Sequence, residues 1–232
     1  MLTKSHEERH LKNSDFITDV VIGMSDGLTV PFALAAGISS TVSNTHIVVT
    51  AGIAEIIAGS IAMGLGGFLA GKTEQDHYAS ELKREYDEVE RVPEVEKAEV
   101  KEVFADYGLS EESQTAIVNE LAKNKDKWVN FMMKFELGLE EPDANRARIS
   151  ALTIGTSYIV GGIIPLSPYF FTNSPLTGLK LSAIITIICL FVFGYFKSKV
   201  TGQSAFFGAI KVTLIGAIAA AAAFFVAKLF SE

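Results

Sequence analysis

Long apolar stretches, each nearly free of charge, alternate with polar connections along most of this chain. Five of them are long enough to cross a bilayer, because about 20 residues of helix span ~30 Å of hydrocarbon. Lipid offers the backbone no hydrogen-bond partners, so we expect all five to be helices. The stretches are Phe16–Ser40, His46–Ala70, Ile149–Leu166, Leu176–Phe196 and Ser204–Leu229. The pattern predicts an all-α membrane protein with five transmembrane helices.

A strongly charged block separates the second and third stretches. Of the 47 charged residues in the chain, 32 lie between Lys72 and Arg148, and 20 of these 32 are acidic. Proline, glycine and capping residues divide the block into three predicted helices, which are Thr73–Arg91, Glu94–Tyr107 and Ser110–Leu137. We therefore expect three regions: residues 1–71 with the first two spans, an acidic helical metal-binding insert at 72–148, and residues 149–232 with the last three spans.

The distribution of lysine and arginine predicts the orientation. The N-terminal segment, the insert and the last connection carry these residues, whereas the two connections between them carry none. Because cytosolic loops are rich in Lys and Arg, the N-terminus and the insert should be cytosolic and the C-terminus should lie on the far side. The first residues, with Glu7, Glu8 and Asp15, do not form the basic-then-apolar pattern of a secretory signal.

Three carboxylic acids lie inside the apolar stretches. Asp26 is midway along the first and Glu55 is in the second, while Asp19 shares the helix face of Asp26 nearer the cytosolic end. An ionised carboxylate at mid-membrane costs ~2.5–3.5 kcal/mol or more, so such residues are usually functional. The alternative is a structural hydrogen bond between protonated acids and neighbouring helices.

The residues around these acids favour a cation site. Pro31 has no N–H to donate to the carbonyl of Gly27, so an oxygen is free beside Asp26. On the second stretch, Met63 lies on one stripe with Glu55 and presents a soft thioether, although packing is the alternative explanation for a single methionine. The small residues of that stripe, which allow close helix approach, are Gly59, Ala62 and Gly66.

The insert carries acidic residues at helical spacing. Glu81, Glu85 and Glu88 share one face of its first helix, and Glu96, Glu99 and Glu102 share one face of the next. On the third predicted helix, Met132, Met133 and Glu136 lie within one turn. Stacked carboxylates repel each other unless they are solvated, paired or metal-bound. A three-helix arrangement would bring these groups together as a cation site; the alternative is a solvated acidic surface.

Other chemistry is weakly represented. A di-iron carboxylate enzyme would need two Glu-x-x-His elements, and the chain has one, at Glu74 and His77. No Gly-x-x-x-x-Gly-Lys-Ser/Thr loop for nucleotide phosphates is present. His6 and His10 are interpreted as surface residues and Cys189 as a buried or lipid-facing one. We expect no enzymatic activity and neither nucleotide nor nucleic acid as a partner.

Two segments resemble the signatures of the vacuolar iron transporter family. They are the run from Asp19 to Leu34, which contains Ser25-Asp26-Gly27, and the run from Glu55 to Gly67, which contains Ala62-Met63-Gly64. The resemblance extends over the whole chain and is greatest to plant members. It implies five spans, a homodimer in the vacuolar membrane, and exchange of cytosolic iron for vacuolar protons.

The resemblance also implies a set of metal-binding residues. Asp26 and Met63 match ligands of the translocation path, and Glu55 and Asp19 match acids along it or at its cytosolic entrance. The positions that match metal-collecting residues of the insert are Glu85, Glu88, Glu96, Glu99, Met132 and Glu136.

These residues suggest a substrate and a mechanism. Thioether and carboxylate ligands together disfavour Mg²⁺ and Ca²⁺ and accept Fe²⁺, Co²⁺, Mn²⁺ and Zn²⁺. A two-fold axis beside the first two spans would double the ligands that one chain supplies, which favours a homodimer. Burial disfavours a charged carboxylate, so Asp26 and Glu55 should hold protons when no cation is bound. A passive divalent-cation channel or a metal-sensing membrane scaffold remains the alternative.

Overall fold

A computed structural model describes residues 14–230, and this part of the chain contains helices and no strands. His6 and His10 lie outside the described residues. The α-helices are α1 (Ser14–Ser39), α2 (Thr45–Arg91), α3 (Pro93–Asp106), α4 (Glu111–Leu121), α5 (Lys125–Phe135), α6 (Arg146–Leu166), α7 (Pro175–Val200) and α8 (Ala205–Leu229). A 3₁₀ turn, Ser167–Phe171, follows α6 directly.

Five of these helices, α1, α2, α6, α7 and α8, are long and apolar enough to cross a membrane, as the sequence predicted. In the most apolar 18-residue window of each, between 17% and 44% is buried within the chain. The uncovered surface consists largely of Ile, Leu, Phe and Val side chains. A water-soluble protein rarely exposes so much contiguous apolar surface, which indicates contact with lipid.

The helix boundaries differ from the prediction in two places. The second span and the first insert helix form one continuous helix, α2, since no proline interrupts residues 70–73 and neither Gly71 nor Thr73 ends a helix there. The single helix predicted at Ser110–Leu137 was wrong: the structure has α4 and α5 instead, separated by a turn at 122–124. Asn124 produces the break, because its side chain accepts a hydrogen bond from the backbone N–H of Lys127 and caps α5.

The helices divide into two compact units. One consists of the described parts of Met1–Phe68 and Arg148–Glu232, and the other is Leu69–Ala147. In the first unit, α6 packs closely on α1 and α2 through glycines. A Cβ at Gly27 would lie 2.3 Å from the carbonyl oxygen of Tyr158, and one at Gly59 would lie 2.5 Å from the Tyr158 hydroxyl. Glycine at these two positions therefore makes room for Tyr158.

Polar contacts fix the other end of the same unit. The hydroxyl of Ser39 donates to that of Tyr169 at 2.9 Å, and Ser182 donates to the carbonyl of Pro165 at 2.6 Å. Both contacts are buried, so each satisfies groups that would otherwise be costly in an apolar environment. They connect α1 to the 3₁₀ turn and α7 to the end of α6.

The second unit has its own hydrophobic core. Val100 on α3, Val118 on α4 and Trp128 on α5 are buried together with further apolar residues from α2 and α5. The three helices α3–α5 and the charged part of α2 thereby enclose one core. The apolar faces of the helices are used in this core, and carboxylates on the acidic faces of α2 and α3 can converge outside it.

Candidate metal sites

The hydroxyl of Tyr158 contacts one of the acids predicted from the sequence. Tyr158 is buried in the middle of α6, and its hydroxyl donates a hydrogen bond to Oε1 of Glu55 on α2. The other oxygen, Oε2 of Glu55, is buried and has no hydrogen-bond partner within residues 14–230. A proton or a cation bound there would compensate for lost hydration. Glu55 is thus held in place without being neutralised.

Asp26 lies beside the same tyrosine. It is half-buried on α1 and interacts electrostatically with the Tyr158 side chain. The next residue, Gly27, contacts the backbone of Tyr158, which brings this turn of α1 against α6. Pro31 lies inside α1 four residues after Gly27, as the sequence indicated. The structure therefore gathers Asp26 and Glu55 around one phenol.

The two other predicted residues of the path lie further along the helices. Asp19 is 2% exposed and lies two turns before Asp26 on α1. Met63 is half-buried on α2, eight residues after Glu55, which corresponds to about 12 Å along the helix axis. Asp19 and Met63 therefore lie apart from Asp26 and Glu55, the pair near Tyr158.

Three carboxylates converge within the unit Leu69–Ala147. Glu85 and Glu88 come from α2 and Glu96 from α3, and one oxygen of each lies within 4.8 Å of the others. We call these three residues the carboxylate cluster. Glu85 is 2% exposed and Glu96 is 3% exposed. In the described part of the chain, Oε2 of Glu85 and Oε2 of Glu96 have no hydrogen-bond partner. Buried carboxylates this close together repel one another unless a proton or cation separates them.

Arg84 supplies positive charge beside the carboxylate cluster. Its guanidinium lies 3.5 Å from Glu85, 3.4 Å from Glu88 and 2.6 Å from Glu81. The arginine side chain is half-exposed, so solvent screening weakens these pairs. None of these contacts reaches Glu96. Arg84 therefore does not offset the charge of Glu96 on the α3 side of the cluster.

Glu99 and Glu136 extend the acidic region. Together with Glu102 and Asp106 they line a groove of about 580 Å³. Burial, reinforced by the charge of Glu99, raises the pKa of Glu96 to about 7. Burial and the charge of Glu99 likewise raise the pKa of Glu136 to about 7. At neutral pH both side chains are partly protonated, and a metal ion would bind in competition with these protons.

Met132 has a different environment from the acids predicted with it. Its side chain is fully buried in the hydrophobic core of the insert, together with Met133 and Trp128. Glu136 follows one turn later at the C-terminal cap of α5, where its N–H donates to the carbonyl of Met132. The structure thus places Met132 among apolar side chains and Glu136 on the acidic groove.

Two residues that organise these sites, Tyr158 and Arg84, were not predicted from the sequence. Tyr158 carries a weak signal, since tyrosine in membrane helices is enriched at the bilayer surfaces and this one is mid-span. Arg84 follows Glu81 by three residues and precedes Glu88 by four, which is the spacing of ion pairs on one helix. That spacing was visible, but it did not indicate that the same carboxylates are partly buried.

Comparison with known proteins gives a consistent result. A protein-family model with the description "VIT family" matches residues 17–228. Vacuolar iron transporter 1 of Tulipa gesneriana is 51% identical over 227 residues, which cover 98% of this chain and 92% of that protein. Vacuolar iron transporter 1 of Arabidopsis thaliana is also 51% identical over 227 residues, covering 98% and 91%. These names confirm the resemblance found in the sequence.

A more distant relative extends the comparison to fungi. Vacuolar iron transporter cccA of Arthroderma benhamiae is 36% identical over 224 residues, which cover 93% of this chain and 80% of that protein. All three relatives are named transporters, which agrees with the expectation that the chain is not an enzyme.

The raised pKa values give a pH-dependent stability that can be measured. The ordinary pKa of Glu96 and Glu136 is 4.5, and the folded insert raises both to about 7. Between these values the folded state binds more protons than the unfolded state, so the free energy of unfolding should fall as pH rises to about 7. Urea unfolding of the metal-free full chain, followed by fluorescence of its one tryptophan, Trp128, reports this change.

Matched variants test the assignment. Replacing both residues, Glu96→Gln and Glu136→Gln, should flatten the pH dependence of the free energy of unfolding between pH 5 and about 7. The control pair, Glu111→Gln and Glu112→Gln, changes two exposed residues in the first turn of α4 and should leave it unchanged. An equal pH dependence in both double variants would contradict the assignment.

Proposed function

The chain belongs to the VIT family, and from that premise we propose that it transports ferrous iron from the cytosol into the vacuole in exchange for protons. One observation carries the proposal: Asp26 and Glu55, in two apolar helices, converge on Tyr158, and one oxygen of Glu55 is left unpartnered. Acids in lipid-embedded helices are expensive unless they bind protons or cations. The names of the relatives support iron and the vacuole.

The ligand chemistry suits a divalent transition metal. Carboxylate oxygens from Asp26 and Glu55 would replace part of the hydration shell, and Met63 adds a soft thioether further along α2. Oxygen ligands alone would favour Mg²⁺ or Ca²⁺, whereas the thioether favours Fe²⁺ over these ions. Co²⁺, Mn²⁺ and Zn²⁺ share this preference and are expected as secondary substrates.

Proton exchange follows from charge balance. With no metal bound, protons on Asp26 and Glu55 avoid the cost of two buried charges. An arriving Fe²⁺ displaces them, and protons from an acidic vacuole displace the metal in turn. Tyr158 holds Oε1 of Glu55 in both states, so Oε2 stays directed to the exchanged ligand. The proton gradient then drives accumulation.

A homodimer would complete the path. On α2, small residues recur every four positions on an exposed face: Ala54, Ala58, Ala62 and Gly66. Nothing lies within 4 Å of a Cβ placed at Gly66. At Gly59, in contrast, the space beside the backbone is occupied by the Tyr158 side chain. Exposed small residues at this spacing favour close helix–helix contact in membranes. Pairing α2 with its copy would double the ligands that each chain supplies.

The insert at 72–148 is assigned to metal collection on the cytosolic side. The carboxylate cluster and the groove with Glu99 and Glu136 offer several oxygens at close range. The Lys and Arg counts support a cytosolic N-terminus and insert and a lumenal C-terminus. Iron would meet the insert before the membrane path, which begins near Asp19.

Flux measurements with an Asp26→Asn variant test the transport proposal. Asparagine keeps the side-chain volume but removes the charge and the titrating proton, so uptake of Fe²⁺ into proteoliposomes with an acidic interior should fall to background. Asp15→Asn, an exposed acid in the first turn of the same helix, is the control and should retain uptake. Undiminished uptake by Asp26→Asn, or uptake indifferent to the imposed pH gradient, would contradict the mechanism.

A Tyr158→Phe variant isolates the hydrogen bond to Glu55. The ring remains packed against Gly59, but the carboxylate loses its donor, and loss of such an outer partner typically costs 10–100-fold in metal affinity, so we expect about a tenfold higher KM for Fe²⁺. Tyr169→Phe removes a buried hydroxyl that contacts Ser39 and should leave KM unchanged. Equal effects of the two substitutions would show that Tyr158 acts only through packing.

Cysteine cross-linking tests the dimer. In a background with Cys189 replaced by serine, Ala62→Cys places a thiol on the exposed face of α2, and oxidation in membranes should give a covalent dimer. Ile184→Cys, on an exposed position of α7, should remain monomeric under the same conditions. Equal cross-linking of the α2 and α7 variants would exclude the α2 interface. Failure of both variants to cross-link would exclude it as well.

A further inference from the structure

A cavity of about 320 Å³ lies between the end of α7 and the beginning of α8. We call it the α7–α8 cleft. Lys197 and Lys211 contribute its charged groups, and Ser198, Thr201 and Ser204 contribute hydroxyls. The cleft lies in a different part of the chain from Asp26 and Glu55, and it is lined by hydrogen-bond donors rather than by acids. Its chemistry is that of an anion site.

Within residues 14–230, the two lysines of the cleft have no counter-ion. The sequence has no Asp or Glu between Ala144 and Ser231, a segment that contains α6, α7 and α8. In the described part of the chain, neither Lys197 nor Lys211 forms an ion pair. Lys211 lies six residues into α8, which is about 9 Å deeper along a membrane-spanning helix. An ammonium group at that depth is costly unless it reaches the interface or an anion.

Ser198 also lines the cleft. Ser198 is 6% exposed, lines the cavity, and makes no side-chain hydrogen bond within residues 14–230. A Cβ at Gly208 would lie 1.8 Å from Ser198 Oγ, so glycine at this position permits the close approach of α8. Ser198 therefore adds to the cleft a hydroxyl that can donate a hydrogen bond to an anion.

The surroundings select a lipid over a soluble anion. The cleft lies at the connection between two candidate spans, Pro175–Val200 and Ala205–Leu229, and therefore at a membrane surface. Its wall continues along α8 with Phe207, 73% exposed, and Ile215, 55% exposed. A lipid satisfies both parts of this surface, with its phosphate among the lysines and hydroxyls and its acyl chains on the apolar wall.

We infer that the α7–α8 cleft binds the headgroup phosphate of an anionic phospholipid in the leaflet next to Thr201–Ser204. The positive charge of the last connection predicts that this leaflet is cytosolic. The bound phosphate supplies the counter-ion of Lys197 and Lys211 and accepts the hydrogen bond of Ser198. The site is separate from the transport path and does not depend on the identity of the transported metal.

Lipid titration followed by native mass spectrometry tests the site. The detergent-solubilised full chain is titrated with dioleoyl phosphatidic acid and, separately, with dioleoyl phosphatidylcholine. We expect tighter retention of the first lipid. The double variant Lys197→Gln with Lys211→Gln should weaken it about 25-fold, about fivefold for each lysine. The arginine pair, Lys197→Arg with Lys211→Arg, keeps both charges and should retain binding.

The control variant removes the same charge elsewhere. Lys180→Gln with Lys199→Gln changes two exposed lysines of α7 that do not line the cleft, and phosphatidic acid binding should persist. Equal loss in the two glutamine pairs, or equal retention of the two lipids by the unmodified chain, would overturn the proposal. Displacement of the lipid by inorganic phosphate alone would identify a soluble-anion site and would also overturn it.

Discussion

A carboxylate removed from water needs a proton, a cation or hydrogen-bond donors, and this requirement organises both acidic regions of the protein. Beside Glu55, the donor is the hydroxyl of Tyr158, and close packing at Gly27 and Gly59 brings that hydroxyl into place. A larger residue at either glycine would displace α6 from α1 or α2. The glycines are therefore part of the site, although neither has a side chain to bind a metal.

The two acidic regions satisfy this requirement differently. Beside Asp26 and Glu55, the neutral phenol of Tyr158 donates to one oxygen of Glu55 and leaves the charge of that carboxylate intact. In the insert, Arg84 offsets part of the charge of Glu85 and Glu88, and protonation relieves the repulsion at Glu96 and Glu136. A divalent ion that displaced those protons at neutral pH would change the net charge of the acidic region only slightly.

Features that depend on composition could be predicted from the sequence, whereas features that depend on a single contact could not. The five spans follow from the absence of charge over long stretches, and Asp26 and Glu55 stand out because lipid-embedded acids are rare. The continuity of α2 past Ala70 was missed because a change from apolar to charged residues does not itself end a helix. The break between α4 and α5 depends on one side chain, Asn124, in an otherwise helical pattern. The role of Tyr158 depends on the packing of three helices, which residue spacing along one helix does not reveal.

Charge is also segregated along the chain, and this has a chemical consequence. In the described part of the chain outside the insert, the acids lie on α1 and α2, whereas α6, α7 and α8 carry lysines or arginines and no acid. A lysine in place of Tyr158 would also hold Glu55, but its ammonium group would cancel the charge and exclude a dication. A phenol orients the carboxylate and leaves its charge available. Lys197 and Lys211 line the α7–α8 cleft, away from Asp26 and Glu55, and an anionic lipid bound in that cleft would supply the counter-ion that the acids of α1 and α2 do not.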